Sequence, residues 1–125
     1  MSTVLLVEDE ELNRVLVRAI LARATDAVVR EIELVEAASL ESARSALDGQ
    51  PVDVVLLDVN LPDGNGLTLA TDLAERDVRP RVIALTASVL PHERAAAMSA
   101  GCDAFLDKPY AAQDLLDVLA EHLPR

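Results

Sequence analysis

The sequence predicts an α/β domain built on a five-stranded parallel sheet, doubly wound, with five helices. Short apolar runs at residues 4–7, 54–57 and 82–85 alternate with segments whose apolar residues recur at helical spacing. Glycine and proline punctuate the boundaries, with Gly49, Pro51, Pro91 and Gly101 each falling between a run and the next periodic segment. The 125 residues are 51% hydrophobic, enough for one core and too few for two, so residues 1–125 are expected to form a single domain.

Each element follows in order. Val4, Leu5, Leu6 and Val7 read as the first strand. Leu12, Val15, Leu16, Ala19 and Ile20 mark the first helix. Ile32, Glu33, Leu34 and Val35 form a more polar strand, as an edge position allows. Leu40, Ala43 and Leu47 give the second helix, with Gly49 expected as its C-terminal cap. Residues 52–57 are the most apolar strand and run into Asp58. Residues 61–66 are dense in turn formers, and Leu67, Ala70 and Ala74 then suggest the third helix. Residues 82–85 form the fourth strand and end at Thr86. The fourth helix starts at Pro91, a residue tolerated in a first helical turn, and Gly101 closes it. Ala104, Phe105 and Leu106 make the fifth strand, and Leu115, Leu116, Leu119 and Leu123 mark the last helix.

Composition excludes several functions. Lys plus Arg number 11 against 22 Asp plus Glu, a formal charge of −11, which disfavours nucleic acid and anionic membrane surfaces as partners. Aromatics are 2%, too few for a base-stacking platform. One cysteine, Cys102, rules out an internal disulfide and reads as a small core filler. No apolar run approaches the roughly 18 residues of a membrane span, and only three residues precede the first strand, so a cytoplasmic location is expected. His92 and His122 fall on predicted helices among polar residues and read as surface histidines.

In a parallel α/β sheet, chemistry gathers beyond the carboxyl ends of the strands, near a topological switch point. Those ends carry Glu8 and Asp9, Asp58, Thr86 and Lys108, the last being the single lysine of the chain. Taken singly, each has an ordinary explanation: helix-start charge for Glu8 and Asp9, turn former for Asp58, solvated charge for Lys108. Together they place three carboxylates, a hydroxyl and an ammonium at one end of one sheet. Clustered carboxylates repel one another unless a cation intervenes. An oxygen-only set favours a hard cation such as Mg²⁺, with Mn²⁺ as an alternative, and offers nothing to zinc. The chemistry this set permits is phosphoryl acceptance, with Asp58 as carboxylate nucleophile and Lys108 and the cation countering phosphoryl charge.

Four segments resemble the receiver domain of bacterial two-component response regulators: residues 5–10 (LLVEDE), 57–62 (LDVNLP), 84–87 (ALTA) and 105–110 (FLDKPY). They occur in the family's order, and the resemblance covers the whole chain. It implies a flavodoxin-like strand order of 2-1-3-4-5. It also implies Asp58 as phosphoacceptor, with Asp9, Asp58 and the main-chain carbonyl of Asn60 as Mg²⁺ ligands and Glu8 joining through water. Thr86 and Lys108 match the switch hydroxyl and the phosphate-binding lysine, and Phe105 the aromatic that reports the switch. The bond before Pro109 is expected to be cis. Ser88 and Asn60 match positions flanking the approach of hydrolytic water. Three departures stand out: Glu8 where the family often has Asp, Phe105 in place of the Tyr of some members, and a rather long link at residues 24–31.

The expected function is a phosphorelay receiver. It takes a phosphoryl group from a histidine kinase or histidine phosphotransfer protein and switches binding of a downstream protein through its fourth helix, fifth strand and fifth helix, as monomer or weak dimer. No enzymatic turnover is expected beyond self-phosphorylation and self-dephosphorylation. A receiver excised from a hybrid histidine kinase is an alternative, although Met1 just before the first strand and the chain's end after the last helix favour a free-standing protein. A phosphohydrolase with an aspartate nucleophile is another, yet such enzymes usually carry that residue on the first strand. A nucleotide-binding module would need a glycine-rich loop where residues 8–11 are all acidic.

Overall fold

The computed structural model describes residues 2–87 and 90–124, so Ser88 lies outside the described residues. In chain order the elements are β1 (Thr3–Val7), α1 (Glu11–Ala22), α2 (Ala27–Arg30), β2 (Glu33–Ala37), α3 (Leu40–Gly49) and β3 (Val54–Asp58). There follow β4 (Asn60–Leu61), β5 (Gly64–Asn65), α4 (Leu67–Ala74), β6 (Arg81–Thr86), α5 (Pro91–Ser99), β7 (Ala104–Asp107) and α6 (Ala112–His122). The main sheet is five-stranded and parallel, ordered β2-β1-β3-β6-β7. With the β4–β5 hairpin set aside, this is the expected 2-1-3-4-5.

Strand side chains alternate between two cores, as the period of two requires. Leu5, Val7, Val55, Leu57, Val82 and Ala84 face α3, α4 and α5, meeting Ala43, Leu69 and Ala97 among others. Val4, Leu6, Val54, Leu56, Ile83 and Leu85 face α1, α2 and α6 and meet Val17, Val29, Leu115 and Leu119. Burial on both faces explains why β3 reads as an unbroken apolar run, while β2, at the edge, carries Glu33 and Glu36. Cys102 is buried in the first of these cores.

Two expectations are corrected. The helices among the described residues are six, not five. The extra one, α2, forms in the long link because the Asp26 carboxylate accepts from Val28 N–H at 2.9 Å, while Val29 is buried under α6. Four residues are too few to show a helical period, so pattern reading passes over it. Gly49 is not a cap beyond α3 but its last residue, and the cap is Gln50, in extended conformation at φ −161°. Gly101, by contrast, does close α5 with φ +101°, where a side chain would be strained.

The chain leaves β1 for β2 on one side and then crosses to β3 on the other. The switch point therefore lies between the carboxyl ends of β1 and β3, where Glu8, Asp9 and Asp58 stand.

Candidate functional site

The floor of the site is set by β1 and β3. Glu8 follows the last residue of β1, and its N–H donates to the Ala37 carbonyl at 2.9 Å, extending the ladder by one residue. Glu8 is 1% exposed and Asp58, at the end of β3, 6%. Asp9 is exposed at the rim. Carboxylate oxygens of Glu8, Asp9 and Asp58 all lie within 4.8 Å of one another.

Lys108 reaches in from the end of β7. Its Nζ donates to Glu8 Oε2 at 2.8 Å and lies 3.3 Å from Asp58 Oδ2. Its own N–H donates to the Thr86 carbonyl at 2.7 Å, tying the lysine's backbone to the end of β6. The Lys108–Pro109 bond is cis, as expected. The second Asp58 oxygen accepts from Asn60 N–H at 3.0 Å, a turn closed on its own backbone. Thr86 is buried at the end of β6, in register with Asp107 of β7. Phe105, half-buried on β7, lines with Thr86 and Asn60 a cavity of about 300 Å³. The fold thus gathers Glu8, Asp9, Asp58, Asn60 and Lys108 at one end of the sheet. Thr86 stands beside them, and Phe105 lies across the cavity.

The electrostatics are uneven. Burial pushes the Glu8 carboxyl up, but the Lys108 hydrogen bond, the Glu10 N–H and the lysine charge outweigh it and hold Glu8 below its usual range. Burial also raises Asp58, and the Glu8 charge adds to it; the Asn60 N–H and Lys108 offset only part, so Asp58 titrates above its usual range. Burial works against the Lys108 ammonium, yet Glu8 and Asp58 together raise its pKa. One ammonium faces three carboxylates, and the negative excess asks for a further cation. The donors are all oxygen, which fits a hard divalent ion.

Sequence reading missed two contributors. A Cβ on Gly66 would stand 2.3 Å from the Asp58 carbonyl oxygen, so only glycine lets the α4 start pass so close to β3. The Arg14 guanidinium donates to the Glu8 carbonyl at 2.8 Å, pinning α1 to the floor. Both are contacts between separate segments, and neither leaves a pattern along the chain.

A doubly wound parallel sheet with this strand order, carrying an acidic triad and one lysine at its switch point, is a flavodoxin-like architecture. The chain matches the response regulator receiver domain family over residues 4–120, and it belongs to that family. It is a receiver of the kind found in response regulators and hybrid kinases, and its role is in phosphorelay signalling. The two-component response regulator ORR41 of Oryza sativa subsp. japonica is 37% identical over 122 residues, covering 97% of this chain and 94% of that protein. The aerobic respiration control sensor protein ArcB of Escherichia coli is 36% identical over 115 residues, covering 90% of this chain. The chain spans only 14% of ArcB's length. Among solved structures, the receiver domain of sensor histidine kinase PA1611 from Pseudomonas aeruginosa superposes with a TM-score of 0.81 at 26% identity, over 97% of this chain and 96% of that one. That receiver holds a magnesium ion in its active site cleft. Chemotaxis protein CheY4 of Vibrio cholerae shares the fold, with a TM-score of 0.85 at 24% identity, over 98% of this chain and 99% of that one. No helix among the described residues is long and apolar enough to cross a membrane.

Proposed function

We propose that Asp58 accepts a phosphoryl group from a phosphohistidine of a kinase or phosphotransfer protein and that the domain changes its partner binding in response. The observation that carries this reading is the Asp58 carboxylate at the switch point, 3.3 Å from Lys108 Nζ and clustered with Glu8 and Asp9. A carboxylate oxygen of Asp58 forms the new O–P bond. The P–N bond breaks, and its electron pair stays on the departing imidazole. Lys108 Nζ offsets charge on the transferred oxygens, and the Thr86 hydroxyl donates to the acyl phosphate once formed. Asp9, Asp58 and the Asn60 carbonyl would hold Mg²⁺, or Mn²⁺ in its place, with Glu8 joining through water; the cation supplies charge neutralisation for the phosphoryl oxygens.

A surface for the donor lies beside the site. Leu16 and Ile20 of α1 with Pro109 and Tyr110 line a largely apolar groove of about 450 Å³ whose rim includes Lys108. Leu12 and Leu16 are 69% and 51% exposed. An amphipathic helix carrying phosphohistidine fits such a groove and delivers its phosphorus toward Asp58. Residues 1–125 act as one receiver unit in this reading, and the response leaves through α5, β7 and α6. In this reading the chemistry of the domain is limited to self-phosphorylation and self-dephosphorylation.

Intact mass spectrometry after incubation with acetyl phosphate tests the reading. The expected result is one added phosphoryl group with Mg²⁺ present, little with a chelator, and none in Asp58→Ala. Equal labelling of Asp58→Ala refutes the assignment.

A further inference from the structure

Three residues on the face away from Asp58 form a cluster that the phosphoryl chemistry does not use. Phe105 and Asp107 are two apart on β7 and so project from the same face of the sheet. Arg94, in the first turns of α5, covers both. Its guanidinium lies 4.6 Å from the Phe105 ring centroid and pairs through Nη2 with Asp107 Oδ2. The other Asp107 oxygen, Oδ1, is buried without a hydrogen-bond partner among the described residues. The carboxylate is thus held on one side only. Arg94, Phe105 and Thr86 also line one cavity of about 300 Å³, which leaves the ring room to move.

We propose that Arg94 is a positioning residue that couples Phe105 to α5. A planar cation stacked on the ring and bonded to the neighbouring carboxylate cannot keep both contacts if Phe105 turns into the cavity, so the helix carrying it must follow. Asp107 Oδ1 offers a second acceptor on which the guanidinium can settle after the shift, so the coupling has two arrangements rather than one. This rests on the reading of the domain as a phosphoryl switch, but the coupling itself can be measured without phosphate.

The chain has two methionines, and Met98 stands one turn beyond Arg94 on α5, where its methyl group reports on that helix. In ligand-free protein, Phe105→Leu should shift the Met98 methyl resonance. The same substitution in an Arg94→Leu background should shift it at least about threefold less, the non-additivity of coupled sites. Arg94→Lys should restore part of the response, because it keeps the ion pair and loses the planar stack. A second arm adds beryllofluoride with Mg²⁺. Here Arg94→Leu should retain the shifts around Asp58 while losing most of the Met98 response, and Asp107→Asn should lose part of it. A Met98 response to Phe105→Leu that is undiminished in Arg94→Leu overturns the coupling. Absence of any beryllofluoride shift around Asp58 counts against the phosphoacceptor reading instead, and leaves the ligand-free arm to decide the coupling.

Discussion

Lys108 is shared unequally, nearer Glu8 at 2.8 Å than Asp58 at 3.3 Å. Glu8 takes the closer contact with the ammonium, and Asp58 is left the less neutralised of the two. Most of the site residues were legible in the sequence because strand ends are legible: a buried apolar run that stops at a charged residue marks the position. Gly66 was legible only as a turn former. Its stricter role comes from the 2.3 Å approach that a Cβ would make to the Asp58 carbonyl, a contact between segments. Gly66→Ala is therefore expected to destabilise the domain by about 1–3 kcal/mol, the cost of overpacking a site whose opposing atom is backbone. Urea unfolding checks this; a loss under about 0.5 kcal/mol, within the scatter of ordinary surface substitutions, contradicts it.

At the scale of elements, the five strands of the main sheet are legible within one or two residues because both faces of the central ones are buried, whereas the short β4–β5 hairpin, α2 and the Gly49 end of α3 depend on local turns and capping. The join between β6 and β7 shows a device that no periodicity reveals. Asp103 N–H donates to the Val82 carbonyl at 2.7 Å, and the Asp103 carboxylate accepts from Val82 N–H at 2.8 Å. The same carboxylate takes two hydrogen bonds from Arg79, at 3.0 and 3.2 Å. Burial alone would raise the Asp103 carboxyl, but Arg79 and the Val82 N–H outweigh it and hold it below the usual carboxylate range. A carboxyl depressed in the folded state stabilises above its unfolded pKa of 3.8 and loses that contribution as pH falls through the folded value. Asp103→Asn should thus cost about 1–2 kcal/mol at neutral pH, discounted for the partly exposed arginine. The gap between variant and wild type should close as the solution is taken below pH 3.8. Paired thermal melts across pH 2.5 to 7 measure it, and a gap that stays constant sinks the argument.

For the molecule as a whole, alternation of elements points to a parallel sheet with helices on both faces, and the resemblance to receiver domains supplies the strand order; chemistry gathers at the strand ends of such a sheet, which is why the site is legible without any glycine-rich or cysteine motif. The chain's formal charge of −11 makes the acidic triad a concentrated case of a general repulsion. Mg²⁺ that binds the folded triad and not the unfolded chain should raise the melting temperature as it saturates. Asp9→Ala should lose most of that rise and melt no lower than wild type in chelator; an undiminished rise removes Asp9 from the ligand set. The most direct test of the whole account is to locate the phosphoryl group. Protein labelled with acetyl phosphate and Mg²⁺ is reduced with borohydride, which converts an aspartyl phosphate to homoserine, and its peptides are mapped by mass. Homoserine is expected at position 58 alone. Homoserine at position 9, or a phosphoryl gain that leaves position 58 as unmodified Asp, would contradict it.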